Sequence, residues 1–201
     1  LAELAERSQL YKSTVLRLLA SLEHARLLLR QGDGRYSLGP ELARLHGIYA
    51  ASFSLEDEVL PVLRDLVATT RENAAFQVRQ GDQRRCLLRV DSPQPARDTV
   101  RAGDLLPLDR GAGGRVLTAF SESRGGIYEQ IRREGVVVMN GDRLPELTGI
   151  AAPAFDVAGL AGAVTLTVPT TRLQPGFSQA VLDAARHLTE RLGGHWPIRD
   201  A

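Results

Sequence analysis

Near its start the chain alternates apolar and polar positions at helical spacing. Val15, Leu18, Leu19 and Leu22 recur as i, i+3, i+4 and i+7, the stripe of one helix. Ser13, Thr14 and Arg17 fall on the other face, with Ser21 one turn further on. Upstream, Leu1, Leu4 and Ala5 form the inward side of a second short amphipathic segment. Residues 8–11 separate the two, about the length that a helix-turn-helix corner needs. The apolar run 27–29 leads into Gln31-Gly32-Asp33-Gly34, a hairpin-type turn, and Arg35-Tyr36-Ser37-Leu38 returns from it before Gly39-Pro40. The two helices alone fit a plain helical hairpin as well. The tight hairpin after them, tipped with Arg35, is the layout of a winged helix-turn-helix.

Residues 40–70 read as a long helical stretch, broken or continuous, with Leu42, Leu45, Ile48 and Tyr49 on one face and Leu55, Val59, Val62, Leu63 and Leu66 on another. Ser54 followed by Glu56, Asp57 and Glu58 marks a helix start. Pro61 either kinks this segment or lies in its first turn. Such a helix would join two domains and contact a second subunit. From Asn73 the period changes to two. Segments 74–79 and 84–90 flank a turn, and 99–101 reads as a short strand. A Gly-rich loop over 105–115 runs into a helix at 116–120, and a second helix covers 126–134. Strands follow at 136–138, 149–155 and 161–168, then a closing amphipathic helix at 177–192. Strands in hairpin order between flanking helices predict an α+β sandwich, with helices on one face and a ligand on the other. The domains expected are 1–40, a winged helix-turn-helix; 41–70, a linker helix; and 71–194, the sheet domain.

Composition adds bounds. With 201 residues, 43% hydrophobic and 24% charged, the chain suits an ordinary globule of one large domain or two small ones. A net charge of +1 carries no global polyanion signature, so any nucleic-acid surface must come from local clustering. Residues 1–50 hold seven Lys/Arg against five Asp/Glu, a modest excess. The single cysteine, Cys86, sits in an apolar run, which fits a buried structural thiol and a reducing cytoplasm. No apolar stretch reaches the roughly 18–20 residues that cross a bilayer, so no membrane is expected as a partner. The chain opens at Leu1 in helical pattern, which suggests a fragment lacking an N-terminal helix.

Residues 10–23 followed by 34–40 resemble the DNA-binding half of IclR-type bacterial transcriptional regulators. Leu106-Pro107-Leu108 with Ala112-Gly113-Gly114-Arg115, then 149–156 and 162–168, resemble their effector-binding half, in the same order along nearly the whole chain. The resemblance implies an N-terminal winged helix that binds a double-stranded operator and a C-terminal GAF-like domain, an antiparallel sheet with flanking helices. That domain would bind a small effector, commonly a carboxylic acid. It also implies a homodimer or a dimer of dimers; no cofactor or metal is expected. By motif position, Lys12, Ser13, Thr14, Arg17 and Arg35 are the DNA-contacting residues. Leu106, Ala112, Gly113, Asp142, Gly149, Thr165 and Thr167 are the effector-contacting ones. Four positions depart from the family pattern. Gln9 and Arg26 replace glycines around the recognition helix, Gly149 stands where some members carry a thiol, and Asp109 where histidine is common. If Gln9 and Arg26 need positive φ, each costs on the order of 1 kcal/mol.

The effector chemistry has its own physical basis. A Gly-rich loop that opens a helix presents backbone N–H groups lacking partners, and these form an anion-binding concavity. Thr165 and Thr167 alternate along one strand and offer two hydroxyls on one face. Equally, the glycines could serve only a tight turn and the threonines only the strand. Two other function classes compete. Catalysis would rest on Cys86, His24, His46, His187 and His195, which have neither metal-ligand spacing nor a nucleophile motif among them. A ligand-sensing or protein-interaction module without DNA binding is the alternative that the near-neutral charge and lost glycines allow.

Overall fold

The structure is a computed structural model that describes residues 1–94, 98–122 and 125–197. It falls into two compact units, Leu1–Ser54 and Leu55–Ala201.

In the first unit, helix α1 (Ala2–Ser8) and helix α2 (Lys12–His24) meet through a short corner. Gln9 closes α1 in the left-handed conformation, φ 55°, and Arg26 follows α2 at φ 57°. Both positions therefore do require the backbone that glycine adopts most freely, and here they carry side chains instead. Strands β1 (Leu28–Arg30) and β2 (Tyr36–Leu38) pair antiparallel, Leu28 with Leu38 and Arg30 with Tyr36, forming the wing. The core of this unit is small: Ala5, Val15 and Leu19, with Leu28 and Tyr36 against them. The stripe read from the sequence is thus only half used, because Leu18 stays 50% exposed and Leu22 is exposed as well. Their apolar spacing was sound, but this unit offers nothing to cover them. Helix α3 (Pro40–Ser52) starts with proline in its first turn, where the missing N–H costs nothing. Its stripe of Leu42, Leu45, Ile48 and Tyr49 is exposed within the unit.

The helical stretch 40–70 is divided at Phe53 and Ser54. Its second part, helix α4 (Leu55–Thr70), belongs to the larger unit and buries Val59, Val62, Leu63 and Leu66 there. Pro61 lies inside α4, beyond its first turn.

The second unit is built on strands β3 (Asn73–Gln80), β4 (Gln83–Val90), β5 (Leu105–Pro107), β6 (Val137–Asn140), β7 (Leu147–Asp156) and β8 (Gly159–Pro169). They form one antiparallel sheet in the order β5-β4-β3-β8-β7-β6. Helices are α5 (Gly111–Ser121), α6 (Ile127–Glu134) and α7 (Phe177–Arg191). Ala151 and Ala163 point to α5, where they join Ala112, Val116 and Leu117 in one apolar cluster. Their neighbours Ile150, Val164, Leu166 and Val168 are fully buried on the opposite face, against which α4 and α7 pack. Helices therefore cover both faces of the sheet, not one, and any ligand must lie between a helix and the sheet. Phe76 on β3 is fully buried, and Gly162 on β8 lacks the Cβ that its ring would meet. Two local expectations fail. Residues 99–101 form no strand, because the ladder with β4 is taken by Leu105–Pro107. Helix α5 begins at Gly111, five residues before the apolar run that signalled it. Near the C-terminus, Trp196, the only tryptophan, stacks edge-on against Phe155, which meets Phe120 in the same way.

Relief of the left-handed strain is measurable. Gln9→Gly and Arg26→Gly should each stabilise the first unit by about 0.5–1 kcal/mol, seen as a higher unfolding midpoint in far-UV circular dichroism. Phe76→Ala should cost the second unit about 3–5 kcal/mol, because the void it leaves is lined by strand backbone that cannot collapse. Denaturant titration of that unit reads the loss.

Candidate functional site

Two surfaces carry the chemistry, one in each unit. In the first, Ser13, Arg17 and Ser21 follow one another at i, i+4 steps along α2, on the side away from buried Val15 and Leu19. Lys12 and Ser13 are exposed in its first turn, Thr14 is half-buried and Arg17 is exposed. That first turn carries no acidic residue, so anions meet the positive end of the helix without local repulsion. The Ser21 hydroxyl donates to the Arg17 carbonyl, leaving the guanidinium unengaged by it. The wing turn is closed by the Gln31 amide donating to Arg35 O and the Gly34 amide to Gln31 O, at 2.7 and 2.9 Å. Arg35 leans on Asp33 at 3.6 Å, with both side chains mostly in solvent. Such a pair is worth little, so Arg35 can turn to a phosphate at small cost.

In the second unit the sheet register gathers a different set of groups. Residues paired across an antiparallel ladder share a face. Gly149 pairs with Thr167 and Ala151 with Thr165; Thr165 pairs with Ala75 and Ala163 with Gln77. Ala75 pairs in turn with Arg89, and Gln77 with Cys86; Arg84 pairs with Leu106 on β5. A register shift between Phe76 and Gln77 skips Leu87, so Arg89 joins Cys86 and Arg84 on one face although they are not spaced by twos. Between this face and the start of α5 lies a small cavity. Its walls include Leu106, Ala112, Gly113, Gly149, Thr165 and Thr167, six of the seven effector residues expected. They also include Gln77, Arg84, Arg89, Asp98 and Arg143, which the sequence reading did not single out. The bulge hides Arg89 from any period-two reading. Arg84, in phase with Cys86, was the legible signal: a charge at an inward strand position.

The glycines of 111–114 serve close approach. A Cβ on Gly113 would strike the Gln77 amide, and one on Gly114 the Leu108 carbonyl and the Arg84 guanidinium. Arg84 thus runs beneath the first turn of α5, donating to the carbonyls of Pro107 and Arg110. The seventh expected residue, Asp142, stands beside the cavity. It accepts from the Gly111 amide at 2.6 Å and from Arg115 at 3.3 Å, so the chain's own carboxylate takes the leading N–H of the helix. The Thr165 hydroxyl is also committed, donating to the Ala75 carbonyl at 3.1 Å. What it can offer a ligand is a lone pair, not a proton.

Charge is concentrated here. Arg84 is 2% exposed. Burial, together with repulsion from Arg143, pushes its pKa down to about 10. It remains a cation at neutral pH. Asp98 receives Arg89 on one oxygen at 2.8 Å and Arg143 on the other at 2.6 Å. Burial works to raise its pKa; the Arg89 and Arg143 interactions outweigh that and hold it below the ordinary carboxylate range. Burial also pushes the Cys86 thiol up, so it stays protonated and unreactive. The Arg84 Nε and the Gln77 Oε1 have no hydrogen-bond partner among the described residues. The free space is ≈ 30 Å³, room for a water and not for an organic acid unless a side chain moves. Among the described residues no group of His, Cys, Asp and Glu could hold a metal, and no helix is long and apolar enough to cross a membrane.

No family model matches the chain. The HTH-type transcriptional regulator BhcR of Paracoccus denitrificans is 28% identical to it, over 100% of this chain and 82% of that protein. A crystal structure from Silicibacter sp., assigned as an IclR transcriptional regulator, has a TM-score of 0.83 at 26% identity, covering 98% of this chain and 89% of its own. An IclR homologue from Microbacterium hydrocarbonoxydans, complexed with 4-hydroxybenzoate, shares the fold with a TM-score of 0.64 at 20% identity, over 96% of this chain and 90% of that one. In sequence and in fold, the chain is similar to IclR-type transcriptional regulators along nearly its whole length.

Proposed function

We propose that the chain binds a double-stranded operator through its first unit, and that a small organic anion held in its second unit sets the affinity. The observation that carries this reading is the pairing of two features in one polypeptide. A winged helix-turn-helix leaves Lys12, Ser13 and Arg17 exposed, and a cationic cavity holds Arg84, Arg89 and Arg143. Arg17 and Ser13 would reach base edges and phosphates in the major groove, while Arg35 on the wing meets the backbone beside it. Thr14, half-buried, would contribute its hydroxyl from the flank. The apolar stripe of α3, exposed within its unit, suits contact with a second copy. Two recognition helices would then meet half-sites roughly 34–36 Å apart, or multiples of that. A ligand alters operator affinity only by favouring one arrangement of the dimer over the other.

In the cavity, Arg84 and the neighbouring guanidiniums select for negative charge, and Thr167 and Gly149 lie on the strands beneath α5. An organic acid fits this chemistry, and the Microbacterium relative is complexed with one, 4-hydroxybenzoate. No nucleophile stands beside a base here, which favours a regulator over an enzyme, and the reading places it in the cytoplasm.

Arg17→Ala should weaken operator binding about 10- to 100-fold, the worth of one good base or phosphate contact, with the unfolding midpoint unchanged. Gel shifts at several salt concentrations measure this, and wild-type affinity should fall steeply with salt because phosphate contacts release counterions. Unaltered affinity in the variant would remove α2 from the interface. A chain that binds no duplex at any salt would leave the sensing module alone. Replacing Thr165 and Thr167 together by valine should abolish the response to ligand, read as ligand-dependent gel shift, while operator binding survives. A full response in that variant would place the ligand elsewhere.

A further inference from the structure

We propose that Arg89 and Arg143 form a carboxylate seat which the chain fills with its own Asp98, and that an organic acid enters the cavity by displacing that side chain. This rests on reading the second unit as the ligand-holding half. Asp98 is set as a bound carboxylate would be, one oxygen on each guanidinium at 2.8 and 2.6 Å, with its side chain 2% exposed. Its backbone is not part of the sheet. Residues 98–101 lie outside every strand and helix; Val100 packs against Ala75 and Cys86, and the backbone rejoins β4 where Gly103 and Asp104 bond to Cys86, at 2.7 and 2.9 Å. On the upstream side, among the described residues, the nearest ties are at Ser92 and Gln94. Among the described residues, the Asp98 carboxylate is held by the two guanidiniums and by one long amide contact from Val100, at 3.4 Å.

Exchange is favoured over addition for two reasons. The free space is ≈ 30 Å³, so a ligand needs room that only a departing side chain supplies. A second carboxylate beside Asp98 would bring like charges together in a poorly solvated place, whereas trading one carboxylate for another leaves the buried charge unchanged. Also in the cavity wall, the Arg84 Nε and the Gln77 Oε1 are unpartnered among the described residues. A hydroxyl on the ligand can donate to Gln77 and accept from Arg84. The class selected is therefore a small monocarboxylate carrying a second polar group. A tethered competitor also acts at an effective concentration in the millimolar range, so a ligand must exceed simple charge pairing to win.

The test uses sodium acetate as the probe on the full chain, with sodium chloride at matched ionic strength as the control. In Asp98→Ala, acetate should raise the thermal midpoint saturably, with a half-effect concentration at least tenfold below that for wild type. Asp98→Asn, which keeps the shape and loses the charge, should fall between the two. If Asp98→Ala is unfolded in chloride, acetate must restore its far-UV circular dichroism. Acetate acting no differently from chloride on both variants, or alike on variants and wild type, overturns the proposal. The measurement is independent of DNA: rescue by acetate in a chain that binds no operator upholds the seat and defeats only the regulator reading.

Discussion

Helix α5 can lie on the sheet only because the residues between them are small. Ala112 rests on Gly149, whose absent Cβ would sit 3.4 Å from the alanine methyl. Ala151 and Ala163 continue the same floor, and Gly113 and Gly114 give way to Gln77 and Arg84. Close approach of helix to strand brings the first turn of α5 down to the guanidinium layer. A larger residue at Gly113 or Gly114 would lift the helix, open the cavity to solvent and weaken every charge interaction in it, since those interactions are strong only where water is scarce.

That layer is expensive to maintain. Burying a guanidinium is unfavourable unless it is paired and hydrogen-bonded, and the chain meets the requirement in two ways. Arg89 and Arg143 share Asp98, while Arg84 has backbone carbonyls for partners. Carbonyl dipoles solvate a cation without neutralising it, so Arg84 keeps its full charge facing the cavity. A core of apolar side chains would give the sheet more stability than this arrangement. The ends of the same sheet are secured away from the cavity, where Arg172 grips Glu72 through two contacts at 2.6 and 2.7 Å.

Periodicity made most elements legible. The recognition helix, the wing, the long strands of the sheet and the closing helix all stand within a few residues of where the apolar spacing put them, because each has one side that must be buried. Failures have local causes. Gly111–Gly114 read as loop since glycine is a poor helix former; the helix begins there because only glycine fits the space above Gln77 and Arg84. Strand β5 is three residues long and contains Pro107, too short to show alternation. Among the site residues, those on β7, β8 and α5 followed from spacing and family pattern. Arg89 and Asp98 did not, one hidden by a bulge and the other in an irregular stretch that no periodicity describes. Arg143 lies in a turn beyond β6, and its partner is 45 positions away in sequence.

The aromatic stack near the C-terminus has a practical consequence for work in solution. Trp196 is the sole indole in the chain and lies in the larger unit, edge-on to Phe155 with the Arg186 guanidinium 5.5 Å above its ring. Tryptophan emission, excited where tyrosine does not absorb, therefore comes from one half of the polypeptide. Melting of the first unit is silent in that channel, and a single smooth tryptophan transition would describe the second unit by itself.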